Sequence, residues 1–185
     1  IEYAAELFFK YCIAVGRLVK LKQFDKLIDT YCTSDLPKRE IHLVILGEGE
    51  EKERLEKQIE RLQMSKFIHL LGFKNNVFCY VKNAKFLVLT SKYEGFPMVI
   101  LEAHSCGAPV VSFDAPTGPR NIIHHNKDGI LVDNNNEDEF VEILENLALN
   151  QEKIQVLSDG ALQNSKNYEL QKVMNLWKNL IFDKS

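Results

Sequence analysis

FLVLTSKYEGFPMVILEAHSCG, residues 86–107, decides how the chain is read. It opens on four apolar residues, Phe86-Leu87-Val88-Leu89. A strand buried on both faces of a parallel sheet has this unbroken apolar character. The polar run Thr90-Ser91-Lys92-Tyr93-Glu94-Gly95 turns the chain. Pro97 then stands where a first helical residue belongs, since its fixed φ suits a helix and its missing N–H is no loss there. From Met98 the residues read as a buried helix ending near Cys106-Gly107, with Pro109 just beyond. The carboxyl end of a strand therefore delivers a helix N-terminus into a crevice. Free N–H groups and the positive end of the helix dipole attract a phosphate there.

Two carboxylates bracket this helix start with the spacing Glu94-x7-Glu102. At about 1.5 Å of rise per residue, Glu102 sits roughly 7 Å along the helix, on the face shared by Met98 and Val99. A carboxylate repels a phosphate, so neither suits a phosphate contact. Both suit hydroxyl donors, a vicinal diol above all. An anion site flanked by hydroxyl acceptors fits a sugar, a diphosphate and a ribose in a row. The alternative is an exposed turn residue at 94 and a paired helix residue at 102.

Outward from this stretch, strands and helices alternate. Tyr11–Val15, Ile41–Leu46, Phe67–Leu71, Val110–Phe113 and Gly129–Val132 read as further strands. Phe24, Leu27, Ile28 and Tyr31 recur at helical spacing. Helices are also expected over 50–63, 76–83 and 119–125, and from Asn136 to the end. Asn136 caps the acidic start Glu137-Asp138-Glu139. The fold class is α/β, a doubly wound Rossmann-like parallel sheet flanked by helices, whose ligands lie outside the carboxyl ends of the strands.

Gly16-Arg17-x4-Lys22 follows the first strand. Arg17 offers a planar fork of donors and Lys22 a compact charge, the pair a diphosphate requires. Basic loops are commonly just solvated, but in a doubly wound sheet the loops after the first and fourth strands can face the same crevice. Lys20 is read as exposed. Gly47-Glu48-Gly49 lacks the third glycine of a dinucleotide fingerprint, because Lys52 takes its place. His104 reads as buried and hydrogen-bonded, and His124-His125 has no third ligand nearby, so no metal site is expected.

With 185 residues, 45% of them apolar, the chain is long enough for one well-cored domain, and a net charge of −3 argues against nucleic-acid partners. No apolar run reaches membrane-spanning length, and no signal-peptide pattern opens the chain. Cys12, Cys32, Cys79 and Cys106 form no C-x-x-C pair and read as core thiols of a reducing compartment, which points to a cytoplasmic location.

SKYEGFPMVILEA resembles the Glu-x7-Glu signature of retaining glycosyltransferases of the GT-B fold, glycosyltransferase family 4 (group 1). The resemblance covers about residues 11–150. It implies that Glu94 contacts the transferred sugar and Glu102 the ribose, with the Gly95, Phe96, Pro97, Met98 and Val99 backbone facing sugar and diphosphate. It implies that Arg17 and Lys22, after Gly16, clamp the diphosphate, and that no metal or other cofactor is needed. Gly47 and Gly49 are placed near the nucleotide by the same resemblance. Phe73, in Leu71-Gly72-Phe73, is either a base contact or a strand-end core aromatic. Gly118-Pro119 matches a loop bordering the site, where Asn121 replaces the family's glutamate.

In that family this domain is the carboxyl-terminal half of the enzyme. Residues 1–9 are then an interdomain linker or truncated boundary, 10–166 the nucleotide-sugar domain, and 167–185 a helix packing toward an absent N-terminal domain. The partners implied are a nucleotide-sugar donor, by resemblance a uridine one in bacterial polysaccharide synthesis, and a glycan or lipid-linked acceptor. Peripheral membrane association would come only through the missing half. Two other readings use the same crevice, a non-catalytic nucleotide-sugar-binding module and a GT-B nucleotide-sugar epimerase.

Overall fold

The computed structural model describes residues 7–134 and 136–182. Within them, one parallel sheet has the order β3-β2-β1-β4-β5-β6, built from β1 (Lys10–Val15), β2 (Ile41–Leu46), β3 (Ile68–Gly72), β4 (Leu87–Leu89), β5 (Val110–Asp114) and β6 (Gly129–Asp133). The helices are α1 (Phe24–Thr33), α2 (Lys52–Arg61), α3 (Val77–Asn83), α4 (Met98–Ser105), α5 (Glu137–Leu149), α6 (Gln151–Ser165) and α7 (Leu170–Phe182). Strand order reverses between β1 and β4. The loops leaving those two strands stand at the topological switch point, where doubly wound sheets place their ligands.

Both sheet faces are covered, which is why the strands carry few polar residues. Along β1, Cys12 and Ala14 face one core, with Leu27, Ile28 and Tyr31 of α1, Leu55 of α2 and Phe140 of α5. Tyr11 and Ile13 alternate to the opposite face and pack with Tyr80 and Val81 of α3 and Ile100 and Ala103 of α4. Asn136 caps α5 as its type allows, its side chain accepting from the Glu139 N–H at 3.2 Å.

Several expectations are corrected. Pro97 is not the first helical residue: its ψ of 92° is extended, so it is the N-cap and α4 begins at Met98. The helix expected over 119–125 is one 3-10 turn, Pro119–Asn121, after which Ile122 and Ile123 dive into the core and end it. The helix expected over 50–63 is shorter at both ends, and the terminal helical stretch is broken at Asn150, which caps α6, and again before α7. The thiols are not all core, since Cys79 is exposed, although all four are free. Residues 1–6 of the expected linker lie outside the described residues, while Phe9 stacks on His42 and His69 with ring centroids 4.1 and 4.9 Å apart.

Candidate functional site

The site begins where β1 and β2 end. The Gly16 N–H donates to the Leu46 carbonyl at 3.0 Å, Leu18 N–H to Glu48 at 2.9 Å, and Gly47 N–H to Gly72 at 2.9 Å. Gly47 has φ +145°, and a Cβ there would lie 1.9 Å from the Gly16 carbonyl oxygen. The glycine thus lets the two loops touch. A cleft of about 360 Å³ opens beside them, lined by Gly16, Arg17, Gly47 and Phe73 together with Val15, Leu46, Glu48, Lys74 and Val77. Four of the residues singled out in the sequence therefore meet in one place. Gly49 is not among them: it packs against the Leu18 backbone behind the loop. Phe73 is 71% exposed, which removes the reading of a strand-end core aromatic.

Lys22 links this cleft to the β4 loop. Its side-chain carbons run over Gly16, where a Cβ would sit 3.5 Å from Lys22 Cε. Its ammonium donates to Glu94 Oε1 at 2.5 Å, with the two side chains only 19% and 11% exposed. The surrounding backbone is stitched together as well. Thr90 Oγ1 lies 3.2 Å from both the Lys22 and Gln23 carbonyls, and the Lys92 N–H donates to Leu21 at 3.0 Å. The two lips of the switch point are thus tied by backbone and by one half-buried ion pair. Removing either charge leaves the other short of solvent and without its partner.

Beyond Glu94 the chain opens. No side chain caps α4, and the Ile100 N–H is taken by the Pro97 carbonyl at 3.0 Å. The Met98 and Val99 N–H groups have no partner among the described residues. A Cβ on Gly95 would meet nothing within 4 Å. Tyr93, Phe96 and Met98 are exposed around this open end, Phe96 with its ring 6.2 Å from that of Tyr168. Glu102 is half-buried further along α4, outside the cleft lining and with no side-chain hydrogen bond among the described residues. Arg17 is exposed and its guanidinium is likewise unpaired among them.

Some residues at the site escaped the sequence reading. Lys74 lines the cleft with no motif to mark it, and Glu48 lines it from the middle of the Gly47-Glu48-Gly49 turn, of which the sequence singles out only the glycines. Thr117 donates to the Glu94 carbonyl at 2.6 Å, and the turn chemistry of Thr117-Gly118-Pro119 was the available signal. Asn121 is exposed, with no side-chain hydrogen bond among the described residues. His104 is fully buried on α4, with Nδ1 3.5 Å from Asn164 Nδ2 and Nε2 unpartnered. Burial pushes its pKa down, against the pull of nearby Asp128. Among the described residues no group of three His, Cys, Asp or Glu side chains is placed to hold a metal ion, and no helix is long and apolar enough to cross a membrane.

A second cavity, of about 350 Å³, lies between α1 and α2. Its Arg54 is already bound to Asp25 and Glu51, its Lys57 to Glu53, and its Gln58 to Asp29. It sits on helix flanks rather than at strand ends, so the cleft at the carboxyl ends of β1, β2 and β3 is the stronger candidate.

The profile of the family described as "Glycosyl transferases group 1" matches residues 6–168. An uncharacterized glycosyltransferase of Haemophilus influenzae is 30% identical, over 96% of this chain and 50% of that protein. An N-acetylgalactosaminyltransferase of Campylobacter jejuni acting on a diphospho-undecaprenol acceptor is 31% identical, over 89% of this chain and 44% of that protein. Among solved structures, a mutant of S. aureus TarM in a complex containing UDP superposes with a TM-score of 0.87 at 28% identity, covering 93% of this chain and 35% of that one. The chain thus spans about half the length, or less, of the relatives it matches.

Proposed function

The chain belongs to the group 1 glycosyl transferases, with a GT-B-type half-fold, and on that premise we propose that it is the donor-binding domain of a retaining glycosyltransferase using a nucleoside-diphosphate sugar. The donor is a UDP-sugar carrying a hexose or N-acetylhexosamine, and the acceptor is a glycan or a lipid-linked glycan. One observation carries the reading: the half-buried Lys22–Glu94 pair stands at the topological switch point beside an uncapped helix start.

The chemistry follows from where the charges lie. The diphosphate takes the free Met98 and Val99 N–H groups and the charges of Lys22 and Arg17. The bond from the sugar C1 to the β-phosphate oxygen breaks, the acceptor oxygen bonds to C1, and the acceptor's hydroxyl proton passes to the departing nucleoside diphosphate. Negative charge grows on the departing phosphate, where these donors are already aimed. Glu94 accepts from the sugar hydroxyls and Glu102 from the ribose. The base lies in the apolar cleft beside Phe73. The acceptor site comes from the rest of the protein, and α7 is the surface that docks against it: Leu170, Trp177 and Leu180 are 78%, 56% and 63% exposed. On this reading the domain alone binds donor and transfers nothing.

A thermal-shift panel of uridine, guanosine and adenosine diphosphate sugars tests the proposal. Stabilisation by a uridine sugar is expected at concentrations above its dissociation constant. No shift with any member would remove the donor role.

A further inference from the structure

The turn carrying Glu94 is tied at its start, through Thr90 and Lys92, and more sparsely at Glu94 itself. Among the described residues two hydrogen bonds reach Glu94, from Lys22 at the carboxylate (2.5 Å) and from Thr117 Oγ1 at the carbonyl (2.6 Å). Thr117 belongs to the loop between β5 and the 3-10 turn Pro119–Asn121, and this loop is braced from within. Arg120 forks onto both carboxylate oxygens of Asp114 at 2.8 Å, and the Asn121 N–H donates to Gly118 at 3.0 Å. Ile122 and Ile123 anchor its far end in the core.

Gly118, at φ +96°, presses on the turn. A Cβ there would lie 2.8 Å from Glu94 Cβ and 3.0 Å from both the Glu94 carbonyl oxygen and Pro97 Cδ. A loop with its own bracing that meets the far end of a neighbouring turn helps set the position of the residue it meets, here Glu94. On the donor reading Lys22 also serves the diphosphate, whereas the one hydrogen bond of the Thr117 hydroxyl among the described residues goes to Glu94.

We propose that Thr117 is a positioning residue: through the Glu94 main chain it holds the carboxylate at the sugar hydroxyls, with Gly118 as the surface that the turn rests on. The proposal builds on the donor reading above, and the test separates the two.

Calorimetric titration with UDP, and with UDP-glucose, UDP-galactose and UDP-N-acetylglucosamine, measures the affinity that the sugar adds to the nucleotide. Thr117→Val keeps the side chain's size and removes its hydroxyl, and Thr117→Ser keeps the hydroxyl. Thr117 is exposed, so neither variant disturbs the core. Thr117→Val is expected to bind UDP within about twofold of wild type and to lose about fivefold of the sugar increment, the worth of one hydrogen bond. Thr117→Ser restores the increment, and Gly118→Ala lowers it. An unchanged increment in Thr117→Val, an equal loss for UDP and UDP-sugar, or no rescue by serine overturns the role. A wild type to which the sugar adds nothing also overturns it, whereas one that does not bind UDP at all overturns the donor reading itself.

Discussion

Lys22 is the residue on which most depends. The sequence separated it from Glu94, assigning one to phosphate and the other to sugar, and the two residue types justified that division. What sequence spacing does not carry is distance: the residues are 72 positions apart and their side chains meet at 2.5 Å. Lys22→Met leaves a half-buried carboxylate unpaired, and about 1–3 kcal/mol of stability should be lost in a urea titration. Adding Glu94→Gln should recover part of that loss, so the double variant is more stable than the sum of the single effects implies. Strict additivity would show that the ion pair contributes nothing. Lys74 as a cleft member was illegible because no spacing or turn chemistry distinguishes a lining residue from a solvated one, whereas Glu48 sits inside a glycine turn that was visible.

At the scale of elements, β4, α4 and the turn between them were legible because each obeys a local rule: an unbroken apolar run, a proline at the helix start, a glycine past its end. The error at Pro97 is a single residue, and it has a physical cause. Proline satisfies both the N-cap and the first helical position, and only ψ distinguishes them. The resemblance places Gly47 near the nucleotide, and the structure adds that a Cβ there would lie 1.9 Å from the Gly16 carbonyl oxygen. Gly47→Ala should therefore cost more than about 2 kcal/mol, through both the positive φ and the clash, and lower the melting temperature even without ligand. An unaffected melting temperature would mean the two loops do not touch. The α7 stripe makes another claim. Trp177 is the single tryptophan and is 56% exposed. Its emission should be water-like and readily quenched by iodide in this chain, and shielded when the rest of the protein is present. Emission already shielded in this chain would refute an unpartnered α7.

For the whole molecule, burial lowers the pKa of three histidines, His42, His69 and His104. Their neutral forms are the native ones, so the unfolded chain binds more protons below the ordinary histidine value of 6.5. Their contribution is complete above that value and is lost as pH falls through it toward the depressed native values. Each histidine costs up to about 1.4 kcal/mol per pH unit in that window. A urea midpoint that falls between pH 7 and pH 5 is expected, and a flat profile would contradict burial of these rings. The doubly wound sheet itself was legible throughout, because the alternation of apolar strands with amphipathic helices is a property of the entire chain. How the crevice closes was not, because the contacts that tie it join loops distant in sequence. Amide NMR shifts during a UDP titration test the central claim most directly. The largest changes should fall on Gly95, Met98, Val99, Gly16 and Arg17. Changes confined to the cavity of Arg54, Lys57 and Arg61 between α1 and α2, with the α4 amides unmoved, would contradict it.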